Sequence, residues 1–268
     1  QDSVSLGLTY IIVSLFINFV SNEDKIVQLK DLLLFTSLCL LLVTMKLPYV
    51  LLIGLLLFIP RKKINCRYYY LLAIALIALV FAFTIFWYVL SQQVRIENFK
   101  LDGADVKNQL MNLLTKPKLY LPVVLKEVLL SVSHLNQLYT FGWLDLSMSE
   151  VLIPIYSLYT LITFSNVGKI KLPKVSVVGA CLVSLAIVGL ISLTLYLTWT
   201  PVGNADVLGV QGRYYLGVVA LMLPVICSIF KKQESEEKTF SDTFIVQSSL
   251  IILALTVIHT ISVLYAIV

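Results

Sequence analysis

The chain has 268 residues, 59% of them hydrophobic and only 13% charged, with a mean hydropathy of +0.93. A soluble domain carries roughly 25% charged residues, so a water-facing globule is excluded and lipid must cover much of the surface. Twenty Lys and Arg against 15 Asp and Glu give a net charge of +5; the basic residues cluster in short loops between apolar runs, a pattern of membrane orientation and not of nucleic-acid binding.

Apolar runs of about 20 residues predict bilayer-spanning helices, because backbone polar groups in lipid must be satisfied internally. Eight crossings are expected: Ser5–Val20, Leu29–Met45, Leu47–Pro60, Tyr68–Leu90, Val151–Val167, Val175–Thr198, Tyr214–Phe230 and Phe244–Val268. The fold class is all-α, polytopic and membrane-embedded. It forms a single transmembrane domain over 1–268, with four helices in 1–90, an external interfacial segment in 91–150 and four helices in 151–268. The third crossing is short.

The basic clusters Arg61-Lys62-Lys63 with Arg67, Lys169 with Lys171 and Lys174, and Lys231-Lys232 with Lys238 fall on one side, together with Lys25 and Lys30. That side is expected to be the cytoplasm, which places both chain ends outside. The opening Gln1-Asp2-Ser3 carries no initiator Met and no basic region before its apolar core, so it is not a signal peptide. It reads as the start of a fragment or a processed chain, with an N-terminal part before Gln1.

In the external stretch, Asp102 is a candidate N-cap for a short helix presenting Val106, Leu110, Leu113 and Leu114 on one face. Pro122–Leu138 is apolar but holds Lys126, Glu127 and His134, so it is expected to lie in the interface rather than span. Cys39, Cys66, Cys181 and Cys227 form no metal-binding spacing.

Three positions carry candidate chemistry. Lys46 lies in the turn Lys46-Leu47-Pro48-Tyr49. Leu32–Pro60 is too short for two full spans, so this turn is expected below the outer membrane surface. There Lys46 either binds a lipid phosphate or snorkels to the headgroups. Arg213 opens the seventh crossing after Gly203, Gly209 and Gly212; it either clamps a phosphate with two hydrogen bonds or anchors the interface beside Tyr214 and Tyr215. The glycines would let backbone approach a ligand closely. Asp145, in Gly142-Trp143-Leu144-Asp145, is a candidate base, metal ligand or sugar-hydroxyl acceptor, or else a helix cap near Ser147.

The segments Trp199-Thr200-Pro201-Val202-Gly203 and Gly209-Val210-Gln211-Gly212-Arg213-Tyr214 resemble the signature of a bacterial membrane family, domain of unknown function 2142. Gly142–Asp145, Lys46–Tyr49 with Ile59-Pro60, and Asp2-Ser3 resemble further pieces of it. The resemblance implies a fold like that of the C-type glycosyltransferases, polytopic enzymes that take sugars from polyprenyl-phosphate donors at the outer face. It thereby implies a role in cell-wall or surface glycan assembly in the bacterial plasma membrane, with membrane lipids and a glycan acceptor as partners. Asp145 carries over as the catalytic carboxylate, and Arg213, Lys46, Gln211, Tyr214, Trp143 and Asp206 as the substrate-binding set. No cofactor is assigned, and a divalent cation is left open. One departure stands: such enzymes place an acidic residue in the first external loop, a region expected before Gln1. The alternatives are a non-enzymatic transporter or flippase, against which the scarcity of polar residues such as Thr84, Thr163 and Ser184 counts, and a scaffold for glycan assembly.

Overall fold

The computed structural model describes residues 2–65, 67–92, 101–141, 146–147, 154–155, 158–159, 171–229 and 242–267. The expected fifth crossing Val151–Val167, Gly142–Asp145, Lys169, Cys66 and the basic run Lys231–Lys238 lie wholly or mostly outside them. The chain divides into two compact units, residues 1–138 with 171–225, and residues 139–170 with 226–268.

The first unit holds α1 (Asp2–Ser21), α2 (Leu29–Val43), a 3-10 helix (Leu47–Phe58), α3 (Tyr69–Gln92), α4 (Val106–Thr115), α5 (Pro117–Leu130) and α6 (Lys174–Thr198), and it contains the first turns of α7 (Leu216–Ile229). The second holds a two-residue strand pair, Thr140–Phe141 against Leu146–Ser147, and α8 (Asp242–Ile267). Within it Tyr159 and Ser249 share a hydroxyl hydrogen bond.

Four helices are long and apolar enough to cross a membrane: Asp2–Ser21, Tyr69–Ser91, Lys174–Thr198 and Gly212–Ile229. Eight are not reached among the described residues. The fifth expected crossing lies mostly outside the described residues, the eighth is represented by the shorter apolar stretch Gln247–His259, and the second and third are too short. α2 has 15 residues, about 22 Å at 1.5 Å per residue. Leu47–Phe58 has 12 residues and winds as a 3-10 helix, about 24 Å at 2.0 Å per residue. Both fall short of a hydrocarbon core of about 30 Å.

The 3-10 helix is apolar all round, and such an element belongs inside a helical protein. Tyr49, Val50, Leu52, Ile53, Leu55 and Leu56 are all buried, and α1, α2, α3 and α6 pack around them. Gly179 of α6 admits this approach: a Cβ there would stand 2.0 Å from the Phe58 ring. Apolar side chains that face away from the unit stay exposed, as Leu71, Ile85 and Phe86 do on α3, because lipid tails are as apolar as Leu.

Two ends of this unit are distinguishable. At one, the bridge Val27↔Ile64 closes the α2 hairpin, Lys63 Nζ donates to the Asn22 and Glu23 carbonyls, and Ser176 Oγ donates to the Phe58 carbonyl at 2.9 Å. Asp31 fixes the start of α2 there, accepting from Lys25 Nζ at 2.9 Å and from the Gln28 amide at 2.8 Å. The opposite end gathers Asp2, Lys46, α4, α5 and the loop 199–215.

Candidate functional site

The loop between α6 and α7 is held by its neighbours at many points. Gln109 of α4 is fully buried; its Nε2 donates to the Tyr196 carbonyl at 3.4 Å and its Oε1 accepts from the Gly203 amide at 3.0 Å. The Val202 amide donates to the Gly103 carbonyl at 2.9 Å, and Leu208 N donates to Thr200 Oγ1 at 3.0 Å. Asp105, not Asp102, caps α4, accepting from the amides of Lys107 and Asn108. Asp102 instead precedes a left-handed Gly103 that turns the chain before the helix begins. The expected apolar face of α4 holds in part: Val106 and Leu113 are half-buried, with Leu113 against the core, while Leu110 and Leu114 are exposed and Gln109 takes the buried position.

Two glycines of the loop, Gly209 and Gly212, bring backbone against the protein itself. Gly209 has φ of +77°, and a Cβ there would lie 2.3 Å from the Trp199 ring. A Cβ on Gly212 would lie 2.1 Å from the His134 carbonyl oxygen.

Below Gly212 runs a polar chain. The Gly212 amide donates to Gln137 Oε1 at 2.8 Å, Gln137 Nε2 contacts His134 Nδ1 at 3.3 Å, and His134 Nε2 contacts Glu127 Oε1 at 2.8 Å. Because Gln137 presents its oxygen to Gly212, its amide nitrogen faces His134 and donates to Nδ1, which assigns the ring proton to Nε2 and the donation to Glu127. Both ring nitrogens are therefore engaged by the protein, and His134 is a strut rather than a base. Burial pushes the Glu127 carboxyl above its ordinary range, only partly offset by His134 and Lys126. Asp206 pairs with Lys126 at 2.6 Å on an exposed surface, and that hydrogen bond raises the Lys126 ammonium. Gln211 keeps a buried Oε1 with no hydrogen-bond partner among the described residues.

Lys46 and Arg213, with Tyr214, do converge. Lys46 Nζ lies 3.1 Å from Asp2 Oδ1, and Arg213 Nε lies 3.6 Å from Asp2 Oδ2. Each cation also stands 5.8 Å from the centre of the Tyr214 ring, within the range of a cation–π contact. Tyr49 fixes this corner: its hydroxyl donates to the Tyr214 carbonyl at 2.7 Å and accepts from the Gly217 amide at 3.1 Å. Gly217 leaves room for the ring, since a Cβ would meet it at 2.3 Å. Tyr49→Phe should remove both bonds and cost about 1–3 kcal/mol, checked by the thermal transition of the purified protein in detergent; an unchanged transition would refute the role.

Two cavities open on this triad and share Asp2, Lys46, Tyr49 and Arg213. One, about 160 Å³, is lined by Ser5, Leu6 and Thr9 of α1. The other, about 560 Å³, is walled by Met45, Leu47, Ile191 and Leu195. Asp206 and Gln211 line neither. Asp145 and Trp143 lie outside the described residues. Asp2, a carboxylate that in the sequence reads more readily as a helix cap than as a site member, joins the two cations; its contacts span most of the chain, and no local pattern announces them.

Two cations beside an apolar-walled cavity suit an anionic group attached to an apolar chain. No curated protein and no solved structure matches this chain. Residues 1–222 match the family model described as a predicted membrane protein (domain of unknown function 2142), and the chain belongs to that family.

Proposed function

We propose that the chain is the core of a multi-pass plasma-membrane enzyme resembling the C-type glycosyltransferases, which transfers a sugar from a polyprenyl-phosphate donor to a cell-wall or surface glycan acceptor. The supporting observation is the convergence of Lys46 and Arg213 on one carboxylate beside an apolar-walled cavity. The donor phosphate takes those two cations, and its isoprenoid chain takes the wall of Met45, Leu47, Ile191 and Leu195. Lys25, Lys30, Arg61, Lys62, Lys63 and Lys174 gather at the opposite end of the unit, which by the positive-inside tendency makes the site's end the outer face.

In this reading Asp145 takes the proton of the acceptor hydroxyl, the hydroxyl oxygen bonds to the anomeric carbon, and the polyprenyl phosphate leaves with the electron pair, inverting that carbon. Tyr214 lines the larger cavity beside the donor phosphate, and Trp143, Gln211 and Asp206 are assigned to the sugar and acceptor by the resemblance alone. Uniform positive charge at the leaving phosphate lowers the barrier by stabilising its developing negative charge.

The test compares surface glycans and polyprenyl-linked sugars in cells expressing wild type, Lys46→Ala, Arg213→Ala or Asp145→Ala at matched levels. One glycan component should disappear and its lipid-linked precursor accumulate in all three variants. Unchanged glycans with well-expressed variants would remove the enzyme reading and leave a transporter or scaffold.

A further inference from the structure

Asp2 is the one acidic side chain lining either cavity. Its two oxygens are divided between two cations, Oδ1 towards Lys46 and Oδ2 towards Arg213. That is the arrangement a phosphate would take with the same pair. The Arg213 contact, at 3.6 Å, is longer than a direct hydrogen bond and runs through Nε. The Arg213 side chain is 45% exposed.

We infer that the Asp2 carboxylate holds the place of a ligand phosphate between Lys46 and Arg213, and that an anionic amphiphile binds by displacing it. This rests on the reading that these cations receive a lipid-linked phosphate.

Charge explains why such a stand-in is present. Two cations near lipid with no counter-charge would be costly. Asp2 neutralises one of them while the site is empty, and its departure offers the full pair to the ligand. Position explains how it leaves. Asp2 lies in the first turn of α1 with its side chain 49% exposed. The Ser5 hydroxyl donates to the Asp2 carbonyl at 2.9 Å, so the backbone stays anchored while the side chain changes rotamer. Both cavities meet at this carboxylate, so its movement clears the ground between them. A base in the reaction would need a lone pair turned to the acceptor, whereas both oxygens of Asp2 are turned to cations.

The experiment measures binding of dodecyl phosphate and of inorganic phosphate to the purified full chain in neutral detergent. Wild type is compared with Asp2→Asn, Asp2→Ala, Lys46→Met and Arg213→Met, each checked for wild-type elution. Removing the competitor should tighten dodecyl phosphate binding about tenfold in both Asp2 variants, equivalent to about 1.4 kcal/mol, while each cation variant should weaken it at least tenfold. An equal gain for inorganic phosphate supports displacement with free phosphate as the ligand source. Asp2 variants that bind as wild type or more weakly, with the cation variants still weak, overturn displacement and leave the lipid-phosphate reading standing. Absence of binding in every protein overturns both.

Discussion

Gly212→Ala is expected to lower the thermal transition of the purified protein by roughly 5–15 °C, corresponding to about 2–4 kcal/mol. The added Cβ would meet the His134 carbonyl oxygen at 2.1 Å and Gln137 Cβ at 3.4 Å. The nearer obstacle is backbone, which gives less readily than a side-chain tip. Either His134 retreats and strains its contact with Glu127, or Gly212 retreats and gives up the Gln137 bond, carrying Arg213 away from Asp2. The same variant should therefore bind a lipid phosphate less well. Gly189→Ala is the control, because nothing lies within 4 Å of a Cβ there and alanine is favoured over glycine inside a helix by about 1 kcal/mol. Equal transitions for Gly212→Ala and wild type, measured by size exclusion after heating, would show that the contact relaxes freely.

The second large effect is expected from Gln109→Leu. The new side chain has similar bulk and sits at a fully buried position, yet it leaves the Gly203 amide without its acceptor and the Tyr196 carbonyl without its donor. Orphaning such groups costs about 1–3 kcal/mol. The loss falls on the loop, so residues 202–210 should become accessible to a protease that spares them in the wild type. Leu114→Gln, one turn further on the same helix and 70% exposed, should leave cleavage unchanged. Identical cleavage of Gln109→Leu and wild type would sink the argument that this side chain pins the loop.

That contrast shows where sequence reading of the helices reached its limit. Long uncharged runs announce spans because lipid demands them, and α1, α3 and α6 follow. The Lys46–Tyr49 turn was legible as a short hairpin from residue count alone. On α4 periodicity puts Val106, Leu110, Leu113 and Leu114 on one face, yet only Val106 and Leu113 are half-buried. Beside lipid a leucine is equally at home outside, and Gln109, just before Leu110, is drawn inward to satisfy the Gly203 amide and the Tyr196 carbonyl. The 3-10 winding of Leu47–Phe58 was hidden for a related reason: an all-apolar run has no face, and neighbouring helices decide its pitch. In the site, Lys46 and Arg213 stood out as cations at membrane edges. Their shared partner did not, since nothing local links Asp2 to either. Glycines announce a close approach but not what approaches, and here it is the chain's own Trp199 and His134.

The short hairpin also acts on its surroundings. α2 and the 3-10 helix reach about 22 and 24 Å, some 6–8 Å less than a hydrocarbon core of about 30 Å. Such hydrophobic mismatch is relieved by thinning the neighbouring leaflet. Thinning beside the exposed face of α2, where Leu33, Leu34 and Leu41 stand, would lower the opposite leaflet towards Lys46, and under the proposed function it would bring a lipid phosphate level with the cations. On that reading entry would be a sideways step within the leaflet, with little of the apolar chain passing through water.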